Sequence, residues 1–291
     1  MFLTLQVVAN GLIVGCVYAL IALGFMLIYN VIDMLNFSQG DMVMVGAFIG
    51  FTLSSILPFP LYLSWPIGIC AGGLLGAFIA RLIIYPLRRA GALELLIIAI
   101  GLSIVLKDLS RIIWGAEPIA ATSHFGSSVF NLGGLIFNNL QIGMLCITVA
   151  CMVAIMVFLK TKLGVAIRAT AANPDIAGLM GINTGMIIIF TFALSMALST
   201  VAGMLISSQS YLVYTMGSHI VLKAFIGAVI GGFGSIPGAV IGGLVVGLSE
   251  GLSSYFISTE YTGAIIFAIL ILVLLFRPTG LMGRRGYLES L

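Results

Sequence analysis

Two short polar stretches interrupt an otherwise apolar chain, and their residue types define the chemistry open to it. The first, DMLNFSQGD over residues 33–41, gathers Asn36, Ser38, Gln39 and Asp41; the second, SSQSYLVYTMGSHIVLK over residues 207–223, opens with Ser207, Ser208 and Gln209 and closes on Lys223. Amides and hydroxyls can replace the water around a small polar solute without trapping it by full charge pairing, which suits a transport path. Each stretch precedes a small-residue run, VGAFIG in one half and IGAVIGG in the other. Non-helical backbone at membrane depth survives only where protein or a water-filled cavity satisfies it, and paired breaks are what a transporter built from structural repeats shows. Two ordinary surface loops are the plainer alternative. The uncharged-to-acidic cluster at 36–41, in place of a Lys/Arg-rich loop, favours the cavity.

Covalent chemistry has no comparable footing. No glycine precedes a lysine, so the phosphate loop G-x-x-x-x-G-K-[ST] is missing, and neither a Ser/His/Asp set nor a carboxylate pair with a plausible cleft is present. His124 and His219 are lone loop histidines without a second ligand at metal spacing. Cys16, Cys70, Cys146 and Cys151 lie inside apolar runs and read as small hydrophobic residues. The chain is therefore expected to be no enzyme and to hold no cofactor or metal; driven transport would take its energy from an ion gradient or a partner. Asp33, Asp41, Glu94, Lys107, Asp108, Lys223 and Glu250 stand in apolar context, where each needs a partner, a water path or an interface. Lys107 and Asp108, with Arg111, read as the external, interfacial end of a helix. Lys223 is expected to begin a helix, where the dipole disfavours a cation; snorkelling to an interface is the alternative.

The elements that must position these residues are membrane helices. With 61% hydrophobic and 7% charged residues in 291, a soluble fold could not cover its own core. The expected class is an all-α polytopic membrane protein, one integral-membrane domain over residues 1–291, with about eight or nine transmembrane segments and pseudo-repeated broken helices. Apolar segments fall at residues 3–29, 42–57, 61–80, 93–106, 142–159, 185–205, 220–233, 239–256 and 262–276, and two are short for a full crossing. The opening run carries no Lys or Arg before it and is expected to persist as a helix, not a cleaved signal. Three basic groups (Arg81, Arg88, Arg89; Lys160, Lys162, Arg168; Arg277, Arg284, Arg285) are cytoplasmic by the positive-inside rule, which leaves residues 114–141 external, the N-terminus outside and the C-terminus inside. A net charge of +3, scattered at segment ends, gives no footing for nucleic acid.

Glycines recur every four residues at Gly68, Gly72 and Gly76 and at Gly243, Gly247 and Gly251, with single pairs at Gly11 and Gly15 and at Gly46 and Gly50. On helices they line one face and allow close backbone approach, within the chain or against a second membrane chain. The loop TKLGVAIRATAANPDIAGLMGIN, residues 161–183, has its own architecture. Asn173 is a good N-cap, Pro174 suits the first helical position, Asp175 complements the dipole, and Gly181 can end a short helix in the left-handed conformation. Ile176, Leu179 and Met180 then form an apolar stripe, preceded by cationic Arg168. Such a stripe either packs on its own chain or the headgroups, or docks another protein; the second is favoured.

Three blocks carry a resemblance: NGLIVGCVYALIALGFMLIYNVIDMLNFSQGDMVMVGAF, GVAIRATAANPDIAGLMGIN, and KAFIGAVIGGFGSIPGAVIGGLVVGLSEGLSSYF with RPTGLMGR. In this order they resemble the LivH-type permeases of bacterial branched-chain amino-acid ABC importers, over nearly the whole chain. The resemblance implies a multi-pass permease of the bacterial inner membrane that pairs with a homologous second permease chain as a heterodimer, two cytoplasmic ATPase subunits and an external solute-binding protein. It implies that Arg168 to Gly181 is the coupling element seated in an ATPase groove. The sequence departs at Ser38-Gln39, where relatives often carry Ala-His, so no histidine role is carried over. A secondary carrier or channel for a small polar solute, or an ABC permease for urea or short amides, is the alternative.

Overall fold

The computed structural model describes residues 2–57, 59–88, 90–120, 129–132 and 135–283. Arg89, His124, Arg284 and Arg285 lie outside the described residues. All nine apolar segments are helical: α1 (Phe2–Ile32), α2 (Gln39–Phe51), α3 (Leu61–Ile79) followed by the single turn α4 (Tyr85–Leu87), α5 (Ala92–Trp114), α6 (Asn139–Phe158), α9 (Thr184–Ser207), α10 (Met216–Gly231), α11 (Ile236–Phe256) and α12 (Thr262–Phe276). The loop between the sixth and ninth contributes α7 (Lys162–Ala172) and α8 (Pro174–Leu179). Among the described residues, six helices are long and apolar enough to cross a membrane, and Met216–Gly231 and Thr262–Phe276 are shorter apolar helices. The protein is an all-α polytopic membrane protein. A small departure is the antiparallel hairpin of β1 (Val129–Leu132) and β2 (Leu135–Asn138), inside the stretch expected to be external loop.

The chain forms two compact units, one drawn from residues 1–26, 123–149 and 222–291, the other from 27–122 and 150–221. In the second unit α2, α3 and α9 pack against one another along small residues. A methyl group at Gly46 would overlap the Thr200 backbone and one at Gly72 the Thr200 side chain, so three helices converge on Thr200. Gly50 and Gly68 meet Met204, and Gly76 meets Met196. A π turn, Thr52–Ile56, extends α2; there Trp114 donates to the Thr52 hydroxyl at 2.8 Å and stacks on Phe48, fastening the end of α5.

In the first unit α1 and α11 cross through facing glycines: Gly243 against Ala19, Gly247 against Gly15, Gly251 against Gly11. The glycine stripes thus serve packing within the chain. Between α10 and α11 the turn is made by Gly232 and Gly234, both at positive φ, and closed by Ser235, whose hydroxyl accepts from Gly238 N at 3.1 Å. The RPTGLMG segment returns over this turn, with Leu281 N and Met282 N donating to the Ile230 and Gly231 carbonyls that the end of α10 leaves open.

Candidate functional site

Two helices restart after the two breaks, and they start at one point. Asp33 ends α1 in the left-handed region (φ 56°), and the chain runs without regular structure until α2 begins at Gln39. The second break ends earlier than expected: α10 begins at Met216, so His219 lies in its first turns and Lys223 two turns in, not at its start. Polar side chains do not by themselves stop a helix, and no proline intervenes in this stretch. A Cβ on Gly40 would strike the Gly217 carbonyl, and one on Gly217 would strike the Asp41 carboxylate. The first turns of α2 and α10 therefore touch in the second unit.

Around that point the first polar stretch forms a closed cluster. Asn36, Ser38, Gln39 and Asp41 are all at most 1% exposed. Ser38 Oγ donates to Asn36 Oδ1 at 2.6 Å, and Gln39 Nε2 donates to Ser195 Oγ at 3.1 Å and Ser199 Oγ at 2.7 Å. Ser199 Oγ itself donates to the Ser195 carbonyl at 3.0 Å. In a low-dielectric interior such bonds offset the cost of burying polar groups; Asp41 Oδ1 takes no hydrogen bond among the described residues. Asp41 accepts from Ser103 Oγ and stands 3.8 Å from Lys107 Nζ. Lys107 thus turns toward the buried Asp41 while staying partly accessible, and Asp108 and Arg111 are exposed. The later predicted residues sit elsewhere: the Ser207 and Ser208 hydroxyls both donate to the Met204 carbonyl at the end of α9, and Gln209 is exposed.

Lys223 belongs to the first unit. Its Nζ lies 2.5 Å from Glu250 Oε1 on α11 and 3.1 Å from the Tyr18 hydroxyl on α1. Both charged side chains stay partly accessible, 29% for lysine and 25% for glutamate. Sequence reading missed Ser195, Ser199, Ser103, Tyr18 and the Lys223–Glu250 pairing. The spacing of Ser195 and Ser199, one helical turn apart on an apolar helix, was the available signal; nothing in the linear order links residues 18, 223 and 250.

The loop helix is built as expected. Asn173 Oδ1 accepts from Asp175 N and Ile176 N, both at 3.0 Å, with Pro174 at the first helical position. Gly181, at φ 83°, donates to Gly178 O while Ile182 N reaches Ala177 O, a Schellman ending. Ala177 is buried, whereas Ile176, Leu179 and Met180 are 58%, 88% and 79% exposed. Arg168, on α7, is exposed as well.

Residues 7–274 match the family described as the permease component of branched-chain amino acid transport systems. The chain belongs to that family. This permease is 38% identical over 299 residues to the high-affinity branched-chain amino acid transport permease protein LivH of Salmonella typhimurium, covering 96% of both chains. It is 36% identical over 295 residues to BraD of Pseudomonas aeruginosa, again over 96% of both. A probable LivH of Methanocaldococcus jannaschii is 29% identical over 96% of this chain and 92% of that one. No solved structure gives a significant match.

Proposed function

We propose that this permease is the membrane subunit of an ATP-binding-cassette importer that takes a branched-chain, or related hydrophobic, amino acid from an external solute-binding protein and releases it to the cytoplasm. The relatives are named for branched-chain amino acid transport. The observation that carries the coupling half of this reading is α8: a loop helix stiffened by a cap at each end, which turns three large apolar side chains away from its own chain. A lever must be rigid and must grip its partner, and a cytoplasmic ATPase groove is the partner that fits. Arg168, Asn173, Pro174, Asp175, Ile176, Leu179, Met180 and Gly181 form this element.

The remaining assembly follows from the same reading: a homologous second permease chain, two ATPase subunits that hydrolyse the nucleotide in place of this chain, and residence in the bacterial inner membrane with the N-terminus outside and the C-terminus cytoplasmic. The substrate route runs along the broken segments, with Asn36, Ser38, Gln39 and Asp41 on one and Ser207, Ser208 and Gln209 on the other. Amide and hydroxyl groups that are hydrogen-bonded within the chain can exchange those bonds for a passing polar solute at little net cost.

Reconstitution in vesicles tests the proposal. Co-expressed with ATPase, second-permease and binding-protein chains, this permease is expected to support ATP-dependent uptake of labelled leucine, isoleucine or valine. Uptake that persists without ATPase subunits and follows an ion gradient would replace the reading by a secondary carrier.

A further inference from the structure

Tyr18, Lys223 and Glu250 come from three helices of the first unit, α1, α10 and α11, and meet far from any helix end on α1. Tyr18 has about 20 Å of helix on either side, Lys223 lies two turns inside α10 and Glu250 within the last two turns of α11, so the group sits inside apolar helices. A charge there cannot face lipid without a heavy penalty; it faces water or another chain.

A pair kept only to fasten helices needs no accessibility. This one has it: both charged side chains keep more than a fifth of their surface open, while Glu250 bonds Lys223 through Oε1 and also reaches the Tyr18 hydroxyl. The helices are already fastened by other means, through Gly15 against Gly247 and Gly227 against Gly242. The Lys223 ammonium also lies 5.4 Å from the centre of the Tyr18 ring, so it keeps a favourable neighbour if the carboxylate moves away.

We propose that Lys223, Tyr18 and Glu250 form a transient site for the backbone charges of the imported amino acid. The substrate carboxylate takes Lys223 and the Tyr18 hydroxyl, and the substrate ammonium takes Glu250. The inference rests on the importer reading above and names the chemical class that it passes. An α-amino acid is a zwitterion, so inserting it between lysine and glutamate turns one ion pair into two and leaves the net charge at zero throughout. A solute carrying one charge would leave an excess charge in the bilayer, and uncharged urea would separate the pair with no ionic replacement. Side-chain choice is left to other groups.

The test uses the whole reconstituted complex. Lys223→Met with Glu250→Leu removes both charges at similar volume, and for a merely structural pair such a replacement is neutral or stabilising. The expected result is leucine uptake reduced at least tenfold, with the ATPases still bound and hydrolysis still stimulated by the loaded binding protein. Uptake within twofold of wild type overturns the inference while the importer reading stands; absence of branched-chain uptake by the wild type overturns both. A second measurement needs no variant. Labelled leucine held by the wild-type complex in nanodiscs, without the binding protein, is expected to be displaced by norleucine but not by leucine amide, which lacks the carboxylate, or by 4-methylpentanoate, which lacks the ammonium. Equal displacement by all three overturns the assignment.

Discussion

The backbones of Gly40 and Gly217 touch, so the helices that restart after the two chain breaks begin at a shared point. Because the obstacle to a side chain at Gly40 is the Gly217 carbonyl and not a movable side chain, no small adjustment admits one. Gly40→Ala is expected to cost about 1–3 kcal/mol, the range for overpacking a filled core. The check is the thermal midpoint of the purified protein, with Gly91→Ala, which meets nothing within 4 Å, as the comparison.

Two serines of α5 separate a bonded hydroxyl from an idle one. Ser103 donates to the buried Asp41 carboxylate, whereas Ser110 is buried with no hydrogen-bond partner among the described residues. Ser103→Ala should lower stability by about 1–3 kcal/mol, because a buried acceptor loses its donor. Ser110→Ala should be neutral or slightly stabilising. Denaturation of both variants in the same detergent measures the difference, and an equal loss in the two would contradict the reading.

Gln39 is the side chain through which the first break reaches α9. In Gln39→Leu the Ser199 hydroxyl keeps its bond to the Ser195 carbonyl, while the Ser195 hydroxyl loses Gln39 Oε1 as an acceptor. Assembly with the ATPases is expected to survive while uptake falls about tenfold, equivalent to about 1.4 kcal/mol of barrier. Normal uptake in this variant places the route elsewhere.

Leu179 is 88% exposed, so Leu179→Asp should change the stability of the permease by no more than about 0.5 kcal/mol. In a complex the same carboxylate would be buried without a partner, at a cost of several kcal/mol or a forced protonation. Pull-down is expected to lose the ATPases, or vesicle assays to show hydrolysis uncoupled from uptake. A variant that keeps both would return α8 to the role of an ordinary loop helix.

Orientation is open to labelling. With Cys16, Cys70, Cys146 and Cys151 replaced, Glu117→Cys should react with an impermeant thiol reagent in intact cells and Asp175→Cys only after lysis; both positions are exposed. The reverse pattern inverts the topology.

The sequence by itself determined the features that depend on near neighbours in the chain. Every apolar segment became a helix, since a bilayer leaves a backbone no other way to satisfy its hydrogen bonds than within the segment or in a closed barrel. Residues 173–181 wrote both ends of α8, because an Asn-Pro start and a left-handed glycine act within one turn. Only the tertiary structure decided which charge answers which. Lys107 turns toward Asp41, and Lys223, expected at a helix start, lies two turns inside α10 beside Glu250. It also decided that the glycine stripes are spent on contacts within the chain. The physical reason is the same in each case: local hydrogen bonding reads residues a turn apart, whereas a buried charge or a glycine face finds its partner through a helix crossing that linear order does not encode.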